Sequence, residues 1–206
     1  GLRQANLKLL YLNSSSGGYH GHPIKQQRRL EIIEYARANQ VYIIEDDHNG
    51  ELKFNTKPID AMSKLDNDHI IYIGSFSKLL LPSIRISYMA LPNQLVQLFY
   101  EKSRDYHQTA SKLEQLALAM YVEDGQLARH LKRLRKHYRN KSTHLLQKLR
   151  TTFPQHKFEL YETSLKITMA IKADLVDQYI ALAKQNDILV NKTSNNQITL
   201  SFSGIL

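Results

Sequence analysis

The 206-residue chain predicts an α/β fold, with a mostly parallel sheet flanked by helices and a smaller α/β lobe following it. Three observations carry this. Short, near-continuous apolar runs at Leu7 to Leu12, Val41 to Ile44 and Ile70 to Ile73 read as strands of a parallel sheet covered on both faces. Between the first two lies a segment of helical period, Ile24 to Asn39, which makes a βαβ unit. Finally, Asn13, Asp46 and Lys78 each fall just past the end of one of these runs, at the carboxyl edge where such sheets bind ligands.

Each element has its own reason. The first strand ends in Asn13-Ser14-Ser15-Ser16-Gly17-Gly18, a polar, glycine-rich turn. The helix carries Leu30, Ile32, Ile33 and Tyr35 to Ala36 among charged residues. Ile84 to Met89 reads as a further buried strand. Pro92 opens a helix to about Tyr106, because proline suits a first helical turn. Leu113, Leu116, Ala117, Met120 and Tyr121 give the next helix its apolar positions up to Gly125, and a longer one runs from Gln126 to about Arg150. Phe158 to Ile171 and Ile188 to Phe202 read as strands around a helix, Asp174 to Asn186. The expected organisation is residues 1–125 as part of a large domain, 126–152 as a connecting helix and 153–206 as a small α/β domain.

Composition narrows the function. With 42% hydrophobic residues the chain can bury a sizeable core, and no run approaches the roughly 18 apolar residues of a membrane span. There is no cysteine and no apolar leader at the N-terminus, so the expected setting is the cytoplasm, without disulfides or a membrane. The net charge of +9 is concentrated between Arg129 and Arg150, where basic residues surround a helix. That reads as a solvated surface, since no helix-turn-helix, zinc-finger or stacking-aromatic pattern accompanies it. The nine histidines show no metal-ligand spacing, and no metal is expected.

The chemistry centres on Gly74-Ser75-Phe76-Ser77-Lys78, followed by Pro82 and Arg85. A lysine at the end of an apolar strand is desolvated, which lowers its pKa and frees it to attack an aldehyde. Ser75, Ser77 and Arg85 suit a phosphate, two as hydroxyl donors and one as a fixed fork of charged donors. An imine-forming lysine beside a phosphate site suggests pyridoxal 5'-phosphate (PLP). Upstream, a carboxylate at Asp46 would pair with a pyridine nitrogen and keep it protonated.

The pattern Gly-Ser-Phe-Ser-Lys-x3-Pro-x2-Arg resembles the cofactor-lysine segment of fold-type I PLP enzymes. Glu45-Asp46-Asp47-His48-Asn49-Gly50-Glu51-Leu52, about thirty residues upstream, is similar to the Glu-Asp-Asp-Tyr-x-x-Glu-Phe segment of MocR-type regulators, members of the GntR family. In those proteins a winged-helix DNA-binding domain is fused to an aminotransferase-like domain. The resemblance implies Lys78 as the catalytic, cofactor-holding lysine, with Asp46, His48, Ser75, Ser77, Arg85, Asn13 and Ser16 as further PLP contacts. His48 stands where the regulators have tyrosine. The resemblance also implies a homodimer, a small amino-compound effector, and DNA contact through an N-terminal domain absent from this chain, whose large domain would begin about a hundred residues earlier.

One departure bears on activity. Aminotransferases of this type bind the substrate carboxylate with an arginine in the last strand, where this chain has Thr199, and some of the regulators place it where this chain has Gly204. The expected function is therefore a PLP-binding effector domain of a transcriptional regulator, more regulatory than an efficient transaminase. The alternatives are a class I/II aminotransferase and a scaffold that has lost the cofactor.

Overall fold

A computed structural model of the chain describes residues 7–15, 23–47, 50–55, 60–80, 83–193 and 196–203. Two compact units form, one within Gly1–Leu52 plus Lys57–Leu131 and the other within Lys53–Thr56 plus Lys132–Leu206.

The first unit is built on a four-stranded sheet in the order β1-β2-β3-β4. Strands β1 (Leu9–Leu12), β2 (Tyr42–Asp46) and β3 (Ile70–Ser75) are parallel, and β4 (Ser87–Ala90) is antiparallel to β3. Helix α1 (Gln26–Asn39) connects β1 to β2 and ends at Gln40, whose φ of 53° stops the helix. Its buried residues Arg29, Ile32, Ile33 and Ala36 follow helical spacing, so they form one stripe. Ile32, Ile33 and Ala36 pack on Val41, Ile43, Met62 and Ile70, with Leu10 and Leu12 of β1 at the margin. Burial of these side chains, about 25 cal/mol per Å² of apolar surface, fixes the register of β1 and β2.

The stretch Ile84 to Met89, expected as a buried strand, differs in the structure. Only Ser87–Ala90 is strand, and all four of its residues are exposed. The reason is its place at the edge of the sheet: among the described residues β4 pairs with β3 alone, and its β-branched approach, Ile86, is buried before the strand begins.

Helix α2 (Asn93–Ser103) starts directly after Pro92. Helix α3 (Lys112–Glu123) is capped by Ser111, whose Oγ accepts from the Glu114 N–H, the Ser-x-x-Glu start pattern. Gly125, at φ +67°, takes the left-handed turn into α4 (Gln126–Thr152).

The second unit has an antiparallel sheet in the order β5-β6-β8-β7, made of β5 (Phe158–Tyr161), β6 (Lys166–Ala170), β7 (Asn191–Thr193) and β8 (Gln197–Ser201). Helix α5 (Val176–Gln185) supplies Val176 to a core with Met169, Ile171 and Ile198. The short segment from Lys53 joins this unit through Glu162, whose Oε2 accepts from the N–H groups of Phe54 and Asn55 at 2.6 and 2.8 Å. Arg139 donates to the Phe54 carbonyl at 2.8 Å. Among the described residues no helix is long and apolar enough to cross a membrane.

Candidate functional site

Three adjacent carboxylates at the end of β2 have three different environments, and strand alternation decides which is which. Ile43 and Glu45 are buried, while Tyr42, Ile44 and Asp46 are half-buried on the opposite face. Glu45, fully buried, accepts from Ser14 Oγ at 2.6 Å and from the N–H groups of Met62 and Ser63 at 2.9 and 3.1 Å. Arg29 lies 3.8 Å away and donates to the carbonyls of Ile24, Asp60 and Ser14 at 2.8 to 2.9 Å. Burial lowers the Arg29 pKa, with Glu45 and Asp47 opposing that shift through their charge. Glu45 is thus neither a surface group nor a ligand contact. It ties the turn after β1 to the 60s segment.

Asp46 faces the other way and accepts from the Tyr11 hydroxyl of β1, a residue no local sequence signal connects to it. That bond, followed by burial and the Asp46 charge, raises the Tyr11 pKa. Asp47 continues the ladder by donating its N–H to the Ile73 carbonyl at 2.9 Å, and its Oδ2 accepts from Tyr72 at 3.2 Å. Burial, then the charge of Asp47 and contact with Tyr88, pushes the Tyr72 phenol far above its ordinary pKa.

The lysine segment leaves β3 as a tight turn, with Leu79 and Leu80 donating to the Phe76 carbonyl at 3.1 and 3.0 Å. Lys78 sits on this turn and is exposed, so the desolvation expected of it is not a feature of this arrangement: a turn residue projects beyond the sheet edge. Ser75 Oγ accepts from the Ser77 N–H at 3.3 Å, which leaves its hydroxyl hydrogen for another acceptor. Ser77 differs, because its Oγ donates to the Ile84 carbonyl at 3.1 Å. Arg85 is exposed, and Asn13 follows β1 directly. Ser16, His48 and Gly204 lie outside the described residues.

The register brings the ends of the three parallel strands to one edge: Leu12 pairs with Glu45, and Asp46 with Ile73, two residues before Ser75. Asn13, Asp46, Ser75 and Lys78 therefore share the carboxyl edge of the sheet. A carboxylate, a primary amine, a hydroxyl with a spare hydrogen and an exposed guanidinium form a donor set that fits a phosphorylated pyridine aldehyde. Among the described residues no group of three or more His, Asp or Glu could hold a metal ion.

Sequence reading missed Tyr11, Tyr72, Tyr88 and the Arg29–Glu45 pair. For Glu45 the signal was available, since it lies two residues from Ile43 and so shares its face.

Residues 23–194 match the family described as aminotransferase class I and II. An HTH-type transcriptional regulator, YdeL of Bacillus subtilis (strain 168), is 30% identical over 215 residues, covering 99% of this chain and 46% of that protein. The probable rhizopine catabolism regulatory protein MocR of Rhizobium meliloti is 33% identical over 132 residues, covering 64% of this chain and 27% of that protein. Among solved structures, the α-aminoadipate aminotransferase LysN of Thermus thermophilus, complexed with N-(5'-phosphopyridoxyl)-L-leucine, superimposes with a TM-score of 0.79 at 20% identity. That likeness covers 98% of this chain and 55% of LysN, and at this identity it shows the fold alone. The chain spans less than half the length of the regulators it matches.

Proposed function

The chain belongs to the aminotransferase class I and II family, and on that basis we propose that it is the PLP-binding effector part of a MocR-type, DNA-binding transcriptional regulator. The carrying observation is the edge shared by Asp46 and Lys78 in a chain whose relatives are HTH-type regulators. The Lys78 amine would hold the cofactor through its aldehyde carbon, and Asp46 would pair with the ring nitrogen and keep its proton in place. Ser75 and Arg85 would hold the phosphate, with Ser77 fixing the turn through Ile84. His48, Asn13 and Ser16 complete the proposed contacts. When bound, PLP supplies an electrophilic carbon for amines and a ring that draws electrons from them.

A sensing role, with a small amino compound as effector, is favoured over efficient transamination by Thr199. This residue stands in the middle of β8, paired with Thr168 and Asn191, and is buried. It supplies no cation for a substrate carboxylate. The proposal extends to a large-domain part at 1–125, a linking helix at 126–152 and a small domain at 153–206. It also places the whole protein in the cytoplasm as a homodimer, reaching DNA through a separate N-terminal domain. Exposed Leu113, Leu116 and Met120, spaced along α3, suit a protein partner better than water.

Two assays on the full-length protein test this reading. Steady-state kinetics over a panel of amino-acid and keto-acid pairs should give specificity constants well below about 10⁴ M⁻¹ s⁻¹. Gel-shift experiments should show binding to its own upstream DNA that changes with PLP. A specificity constant in the ordinary enzyme range, with no DNA binding, would replace the regulator with the aminotransferase.

A further inference from the structure

Behind the turn that carries Lys78, within the first unit, lies a cavity of about 200 Å³. Its polar lining is Asp47, Glu51, Tyr72, Ser75 and Tyr88, and its apolar lining includes Phe76, Leu79 and Leu127. Asp47 Oδ1 is buried and has no hydrogen-bond partner among the described residues, although Oδ2 accepts from Tyr72. A buried carboxylate oxygen left without a donor is costly and calls for one. Three rings line the same cavity: the centroids of Tyr72 and Tyr88 are 6.0 Å apart and those of Phe76 and Tyr88 are 5.3 Å apart. Ring faces of this kind attract a cation.

Two glycines make the arrangement possible. A Cβ at Gly74 would overlap the Tyr88 ring, and one at Gly50 would overlap the Asp47 carboxylate. The backbone is therefore pared to hydrogen at the two places where these groups lie against it.

From this geometry we propose that the cavity is a binding site for a small primary ammonium with a short apolar tail, centred on Asp47 and bordering the proposed phosphate contact Ser75. An N–H donor is required because Asp47 Oδ1 has none among the described residues, which excludes a quaternary ammonium as the fitting ligand. The rings share the positive charge with the carboxylate, and the leucines accept the tail. At about 30 Å³ per water-sized group, 200 Å³ holds an ammonium and four or five carbons. A ligand seated there touches Phe76 and Leu79, the residues around Lys78 in its turn, so occupancy bears on the position of that lysine.

The test is calorimetric titration of the full-length Lys78→Ala variant, which cannot capture amines covalently at residue 78, with n-butylammonium chloride at constant ionic strength. Saturable one-to-one binding is expected, with tetramethylammonium and n-butanol each weaker by roughly tenfold or more, since each lacks either the charged N–H or the charge. Asp47→Asn in the same background should weaken n-butylammonium by about ten- to a hundredfold, through loss of the charge-assisted bond. Should Asp47→Asn fail to fold, Leu127→Trp fills the cavity and should abolish binding while leaving the carboxylate. Absence of n-butylammonium binding, equal binding of tetramethylammonium, or binding that survives both variants overturns the site. None of these outcomes touches the assignment of Lys78, which has its own test below.

Discussion

Replacing Arg29 with alanine should be among the most damaging changes in the first unit, although the residue is remote from any reacting group. Arg29 is 2% exposed and Glu45 0%. Truncation leaves three backbone carbonyls, those of Ser14, Ile24 and Asp60, without this donor, and removes the cation 3.8 Å from a fully buried carboxylate. Breaking a buried charge pair by deleting one partner costs about 3 to 5 kcal/mol. Glu45 would still accept from Ser14, Met62 and Ser63, so the damage should be local, opening the 60s segment and the turn after β1 together. Hydrogen exchange reads this directly, because the Met62 and Ser63 amides themselves donate to Glu45. In the full-length protein their exchange should accelerate by roughly two to four orders of magnitude, the equivalent of that free energy. An acceleration below about fivefold, or one spread evenly over the whole chain, would rule out a buried pair acting locally, since about 1 kcal/mol is what an exposed pair would give.

Two other perturbations have defined signs. Burial of Asp66 favours its neutral form, but donation from Arg37 at 2.7 Å, from the Asp68 and His69 amides and from the His69 ring outweighs it and holds the carboxyl below its ordinary value of 3.8. Its stabilisation is therefore fully present above that value and lost as pH falls through the lower folded value; the gap between wild type and Asp66→Asn, about 1 to 3 kcal/mol near pH 7 for bonds to a charged group, should close in acid, as denaturant midpoints against pH would show. A gap that widens in acid contradicts this. Thr199→Val removes a buried hydroxyl with no hydrogen-bond partner among the described residues, and should stabilise the second unit by up to about 1 kcal/mol; a loss of melting temperature would mean the hydroxyl has a partner.

The parallel strands and the edge they share were legible because each of β1 to β3 is or begins with a short continuous apolar run, isoleucine-rich in β2 and β3. Helix α1 was legible from its period, and its apolar stripe is the one that packs on the sheet. What failed to show were features set by residues far apart in sequence. The exposure of β4 follows from its position at an edge, which Ile84, Ile86 and Met89 do not encode locally. Which of Glu45, Asp46 and Asp47 faces which way depends on strand alternation together with Tyr11, Arg29 and Tyr72, and only the alternation can be read from neighbours. The capture of Phe54 and Asn55 by Glu162, more than a hundred residues away, has no signature in either stretch. The Lys78 turn was visible as a motif, while its exposure, and the use of the Ser77 hydroxyl on Ile84, became apparent only in three dimensions.

The proposed function stands on one bond, the one by which Lys78 would hold PLP. Incubating the full-length protein with PLP, reducing it with borohydride and mapping the peptides by mass spectrometry tests it most directly, because reduction fixes the cofactor to whichever amine carries it. A single pyridoxyl group is expected, on the peptide containing Gly74-Ser75-Phe76-Ser77-Lys78, and none on the Lys78→Ala variant. A pyridoxyl group on another lysine, or none on the wild-type protein, would contradict it.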